Sequence, residues 1–142
     1  MNYVVDAGVA FKWFVKEPLR PQALHLLDAD RLLQAPDLIL AEMAEIARLK
    51  LQRSEIVLAQ AQEAIHQAPM FFERLVPVQE LHERAFELSL KLQRPLAICL
   101  YLACAEVLKA TLITADRTLT ELQDDSLTFP VLHLSALPAA AA

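Results

Sequence analysis

The chain has 142 residues, of which 56% are hydrophobic and 22% charged, and its formal net charge is −5. That length and apolar content suit one ordinary domain with a substantial core. The charge argues against broad, sequence-independent coating of nucleic acid, while leaving room for a local basic groove beside an acidic site. Charges such as Asp6, Lys12 and Lys16 interrupt the hydrophobic runs, and none approaches the roughly 20 apolar residues of a membrane span. The N-terminal MNYVVDAGVAFKWFV has no basic leading segment and carries Asp6 inside its apolar stretch, unlike a secretory signal. A soluble, cytoplasmic protein with no membrane partner is expected.

Tyr3-Val4-Val5 is a short run rich in β-branched residues that ends at Asp6, and Val9 to Val15 then changes to a helical pattern. Pro21 to Asp28 reads as a second short helix and Leu32 to Ala35 as a strand. Pro36-Asp37 opens a helix running to about Gln52. Ser54 to Gln67 is helical in composition, although Ser54 with Val57 makes only half a capping box. Arg74 to Val78 is a strand candidate, and Gln79 to Gln93 places Leu81, Ala85, Leu88 and Leu92 at helical spacing. Pro95 opens a nearly all-apolar segment to about Leu108, which predicts a helix buried on most sides. Thr111 to Thr114 gives a strand ending at Ala115-Asp116, and Val131 to Leu134 a last strand. This alternation predicts an α/β domain with a mainly parallel sheet over residues 1–137, followed by a flexible tail, 138–142.

Cys99 and Cys104 lie five apart in the apolar helix and point to different faces, so buried free thiols are expected rather than a bridge. His25, His66, His82 and His133 show no metal-ligand spacing with each other or with the cysteines, so any metal here would be held by oxygen. Two basic groups, Lys12, Lys16 and Arg20 and then Arg48, Lys50 and Arg53, read as solvated faces.

The acids carry more information. Ligand sites in parallel α/β sheets gather outside the carboxyl ends of the strands. Asp6 and Asp116 each end a predicted strand, and Glu42 lies in the first half of a helix that follows another. Carboxylates brought together raise one another's pKa unless a cation sits between them, and Mg²⁺ or Mn²⁺ suits such oxygen ligands. Plainer roles are open for each: Asp6 as the N-cap of the helix near Val9, Asp116 as a turn residue, and Glu42 and Glu45 as exposed helix carboxylates, with Glu45 paired to Arg48.

Four segments, Tyr3-Val4-Val5-Asp6-Ala7-Gly8-Val9-Ala10, Ala35-Pro36-Asp37-Leu38 leading into Glu42, Tyr101-Leu102-Ala103 with Ala105-Glu106, and Leu112-Ile113-Thr114-Ala115-Asp116-Arg117, resemble PIN domains of the VapC toxin type. The likeness covers nearly the whole chain in the right order. It implies a three-layer α/β/α sandwich around a parallel sheet and an Mg²⁺- or Mn²⁺-dependent endoribonuclease, commonly a dimeric toxin restrained by an antitoxin. By that resemblance Asp6, Glu42 and Asp116 are catalytic and metal-ligating, and Thr114 helps to orient the last of them.

Three positions depart from the family's usual pattern. Ile98 stands three residues before Tyr101, where members carry an Asp. Gly8 replaces a Ser or Thr but keeps an accessible backbone N–H near a helix start. Glu45 replaces an Asn, one helical turn from Glu42, and could bring a fourth carboxylate to the metal. Two readings compete: a metal-dependent endoribonuclease with weakened cation binding, and a non-catalytic PIN-like module that binds RNA or an antitoxin-like protein. A helix-interaction protein, suggested by the Ala/Leu/Gln-rich helices, would explain none of the acids.

Overall fold

The computed structural model describes residues 1–28, 30–122 and 127–140. Its centre is a five-stranded sheet in the order β3-β2-β1-β4-β5, built from β1 (Asn2–Val5), β2 (Leu32–Pro36), β3 (Arg74–Val76), β4 (Thr111–Thr114) and β5 (Val131–His133). Every pairing is parallel, with Val4 opposite both Gln34 and Leu112. The two central strands are buried on both faces, which is why Tyr3-Val4-Val5 and Leu112-Ile113-Thr114 read as continuous runs instead of alternating ones. The edge strands β3 and β5 are only three residues long.

Among the described residues seven α-helices connect these strands: α1 (Ala7–Phe11), α2 (Arg20–His25), α3 (Leu38–Gln52), α4 (Leu58–Gln67), α5 (Val78–Leu92), α6 (Leu96–Leu108) and α7 (Arg117–Thr120). The chain moves outward from β1 through β2 to β3, then returns through α5 and α6 to lay β4 on the other side of β1. Right-handed crossovers then put the helices of the two halves on opposite faces of the sheet. Accordingly α3 packs on α1, α4 and β2, while α6 packs on α5, β1, β2 and β4. The result is a three-layer α/β/α sandwich whose strand order reverses between β1 and β4.

The helix expected to be buried on most sides is so in its middle: Cys99 to Ala105 are seven consecutive buried residues, while Leu96 and Val107 near its ends are exposed; both cysteines are free. Arg84 on α5 clamps α6 by a bidentate contact to Glu106, with Nε–Oε1 at 2.7 Å and Nη2–Oε2 at 3.0 Å. α5 and α6 meet at a bend of 115°, and among the described residues no single helix is long and apolar enough to cross a membrane.

Several boundaries differ from the sequence reading, each for a local reason. The first helix begins at Ala7, not Val9, because Asp6 caps it directly, and it ends at Phe11, not Val15. The second covers Arg20–His25, starting one residue before the expected Pro21 and ending three before Asp28. The fourth begins at Leu58 because Ser54 takes the left-handed conformation, φ 58°, after α3; the Gln60 side chain accepts the Val57 N–H at 3.0 Å. The third strand stops at Val76 and the fifth at His133. Helix α7 was not expected. In the C-terminal tail, Ala140 donates its N–H to the Pro21 carbonyl at 2.8 Å; residues 141 and 142 lie outside the described ones.

The two basic groups are not simply solvated faces. Lys12 and Lys50 both reach Glu17, at 3.2 and 2.8 Å, and their side chains keep only 12% and 19% exposure. Arg20 donates to the carbonyls of Lys12 and Trp13. Folding brings these distant charges together around one carboxylate, leaving Lys16, Arg48 and Arg53 exposed as expected.

Candidate active site

The carboxyl end of β1 delivers Asp6, and the residues that follow form a helix because the Asp6 side chain satisfies the first turn: its Oδ1 accepts the Val9 N–H at 2.9 Å. The carboxyl end of β4 delivers Asp116 in the same way. Asp116 caps α7, its Oδ1 accepting the Thr118 N–H at 2.9 Å and the Thr118 hydroxyl at 2.7 Å. Since β1 and β4 are neighbours at the strand-order reversal, both acids open into the crevice where α/β sheets place their ligands. Glu42 reaches the same crevice from the second turn of α3.

Between them lies a cavity of about 280 Å³. Asp6, Gly8, Glu42, Glu45 and Asp116 line it together, as does the phenol of Tyr101. The remaining wall is apolar, formed by Ile46, Ala97, Ile98, Leu112 and Leu119. Thr114 does not line the cavity. Its buried hydroxyl donates to Asp6 Oδ2 at 2.6 Å and accepts the Asp116 backbone N–H at 3.0 Å. It was expected to orient Asp116, and it does hold that main chain, but the side chain it fixes is Asp6.

Two other expectations need sharper statement. Glu45 lines the cavity while both its oxygens are engaged by Arg48, Nε to Oε2 at 3.0 Å and Nη2 to Oε1, so the pairing foreseen as its plainer role is present. That contact holds the Glu45 carboxyl below its usual range. Gly8 adopts no left-handed conformation, and a Cβ there would meet only Asp6 Oδ1, at 3.6 Å. Backbone geometry therefore does not demand glycine at this position.

Electrostatically the site is out of balance. Loss of solvation pushes the Asp6 carboxyl up, the charges of Glu42 and Asp116 push it further, and the hydrogen bonds from Thr114 and Val9 only partly oppose this. Such a group is stabilised by any cation that enters. The donors are hard oxygens, and Glu42 Oε2 and Asp116 Oδ2 accept no hydrogen bond from described residues, so their chemistry fits a divalent ion such as Mg²⁺ or Mn²⁺. They do not form a closed cage: among the described residues no group of three or more His, Cys, Asp or Glu is arranged to hold a metal ion. Ile98, the position at which the resemblance leads one to expect an acid, stands on the apolar part of this wall.

Sequence reasoning missed Tyr101 and Thr118. Tyr101 donates its hydroxyl to Glu42 Oε1 at 2.6 Å across the two helical layers. Its position three residues after Ile98, hence on the same face of α6, was the available signal. For Thr118 the signal was its place two residues after an Asp that ends a strand.

The sequence model of the PIN domain matches residues 3–124. No curated protein sequence matches the chain. Among solved structures the chain is similar to VapBC2 from Rickettsia felis bound to a promoter DNA fragment, with a TM-score of 0.67 at 16% identity over 94% of this chain and 98% of that one. It is also similar to PAE2754 from Pyrobaculum aerophilum, with a TM-score of 0.65 at 16% identity, covering 96% and 91%. A third likeness is to VapBC-1 from nontypeable Haemophilus influenzae, with a TM-score of 0.62 at 18% identity, covering 95% and 99%. The profile match covers most of the chain and spans both strand-end acids, Asp6 and Asp116, so the chain belongs to the PIN domain family.

Proposed function

We propose that this protein is a metal-dependent endoribonuclease whose site residues are Asp6, Glu42 and Asp116, acting as the toxin of a toxin–antitoxin pair. The observation that carries the reading is the convergence of these three acids on one cavity at the strand-order reversal. PIN domains are generally dependent on divalent metals, and the raised affinity of Asp6 for a proton marks a place where a cation is electrostatically wanted. Bound there, Mg²⁺ or Mn²⁺ would supply a water of lowered pKa and stabilise charge developing on a phosphodiester.

The chain's own residues do the rest. Asp6, Glu42 and Asp116 hold the cation; Thr114 fixes the Asp6 carboxylate and favours its ionised form; Ile98, Leu119 and Ile46 keep bulk water from one side of the cavity. Glu45, bound by Arg48, is a reserve ligand at most, and the Gly8 backbone borders the Asp6 carboxylate. Two similar structures are VapBC complexes, which supports an antitoxin-like partner for this chain, with RNA as the substrate. A homodimer in the cytoplasm, with residues 1–137 as the working unit, completes the proposal.

The test is Mn²⁺ titration calorimetry together with cleavage of structured RNA by wild type and Asp6→Asn. Binding and cleavage that are both lost in the variant are expected. Absence of Mn²⁺ binding, with cleavage unchanged by Asp6→Asn, would sink the proposal. A second reading, a non-catalytic module that binds RNA or a protein through the same cavity, is favoured by Ile98 and by the lack of a preformed cage. Robust metal-dependent cleavage abolished by Glu42→Gln would eliminate it.

A further inference from the structure

Helix α6 presents Ala97, Ile98 and Tyr101 to the cavity, and the Tyr101 hydroxyl is the only polar side-chain group among them. Tyr101 is 4% exposed and its ring belongs to the core, a volume that phenylalanine would fill equally well. What tyrosine adds is one oxygen, and that oxygen is hydrogen-bonded to a carboxylate. It donates to Glu42 Oε1 at 2.6 Å. The phenol thus ties α6 to α3, one helical layer to the other.

Chemistry limits what this group does. The Tyr101 hydroxyl is buried and faces an acceptor-only carboxylate at 2.6 Å, so it acts there as a donor, not as a base. A buried carboxylate-bound O–H of this kind is also short and directional, which restricts the rotamers open to Glu42. Occupying Oε1 leaves Oε2 as the Glu42 oxygen with no protein donor among the described residues. Glu42 has no other side-chain hydrogen bond there, whereas Asp6 and Asp116 are each fixed by cap contacts from their own loops.

We infer that Tyr101 is a positioning residue that holds the Glu42 carboxylate in a single orientation for one-oxygen ligation, doing from α6 the ordering that the missing acid at position 98 cannot do. The inference rests on the proposed cation site. In metalloproteins, partners that orient a ligand typically change affinity by 10- to 100-fold when removed, so Tyr101→Phe should weaken Mn²⁺ binding by about 10-fold. That variant keeps the ring and its packing.

Two measurements on the full chain test it. The first is a double-mutant cycle on Mn²⁺ affinity by calorimetry: the loss caused by Tyr101→Phe should vanish in the Glu42→Gln background. The second needs no metal: with ¹³C-labelled glutamate, the Glu42 side-chain carboxyl resonance should move in Tyr101→Phe, while other glutamate resonances stay in place. An unmoved Glu42 resonance overturns the inference whether or not the protein binds metal. So does an undiminished loss in the Glu42→Gln background, and so does unchanged Mn²⁺ affinity in Tyr101→Phe when the wild type binds. If the wild type binds no Mn²⁺, the proposed function fails by itself, and the resonance shift still decides whether Tyr101 orders Glu42.

Discussion

Two carboxylates in this protein are drawn away from water and meet opposite fates. Glu17 sits between Lys50 at 2.8 Å and Lys12 at 3.2 Å; burial alone would raise its pKa, but the two lysines outweigh burial and lower it. Asp6 sits between Glu42 and Asp116 with no basic side chain opposite it among the described residues, and its pKa rises. Partners explain the contrast, since loss of solvation acts upward on both. A charge answered within the chain is structural, whereas a charge left unanswered in a cavity is where a ligand is expected.

The strongest way to break this comparison is to remove the unanswered charges one at a time. Asp6→Asn, Glu42→Gln and Asp116→Asn should each lower Mn²⁺-dependent RNA cleavage on the order of 100-fold, the scale seen when one preorganised electrostatic contact to a reacting centre is deleted. Steady-state cleavage assays check this. Urea denaturation of Asp6→Asn at neutral pH should meanwhile show no loss of stability, because the buried charge goes and an amide can still accept the Val9 N–H. A large loss of stability would place Asp6 with Glu17 instead.

Ile98→Asp sharpens the comparison from the other side. With a fourth acid on the cavity wall, Mn²⁺ affinity by calorimetry should rise about 10-fold, the low end of what a supporting ligand group contributes. Cleavage should rise with it. Without metal the same variant should be less stable, since another like charge joins the cluster. Unchanged affinity would mean that α6 does not carry position 98 to the cation.

Glu17→Gln should cost about 1 kcal/mol in urea denaturation at pH 7, the value of a partly buried pair after solvent screening, and leave Mn²⁺ binding alone. The smallest effect is the pH dependence, where the signs differ. Glu17 has a folded pKa below its usual 4.5, so its contribution is complete above that value and is lost as pH falls through the folded pKa. Asp6 has a folded pKa above its usual 3.8, so its contribution is complete below that value and is lost as pH rises toward the folded pKa. Denaturation curves across this acid range should therefore lose their downward limb in Glu17→Gln and their rising-pH decline in Asp6→Asn. Saturating Mn²⁺ should also remove the decline due to Asp6; at ten times its Kd the ion adds about 1.4 kcal/mol.

Much of this was legible without coordinates. Strand β1 and helix α6 were visible as buried, near-continuous apolar runs, because elements covered on both sides need no polar face. Asp6 and Asp116 stood out because each followed such a run. Asp6 takes the cap role considered for it, and Asp116, considered as a turn residue, is also a cap; a carboxylate that caps the helix after a strand is held at the strand end, beside the cavity. The short helix α7 and the true start of α4 were not legible, since each depends on a few local hydrogen bonds and one left-handed residue, Ser54, with no periodicity to announce it.

By itself the amino-acid sequence determined the α/β alternation, the core and the three acids, because periodicity and residue type are local properties of the chain. Tertiary structure alone decided which charges meet. It put Lys12 and Lys50 on Glu17, Thr114 on Asp6 across 108 positions, and Tyr101 on Glu42 across 59. Those pairings set which carboxylate is neutralised within the chain and which keeps a raised pKa, and they are a non-local consequence of packing that no window of residues contains.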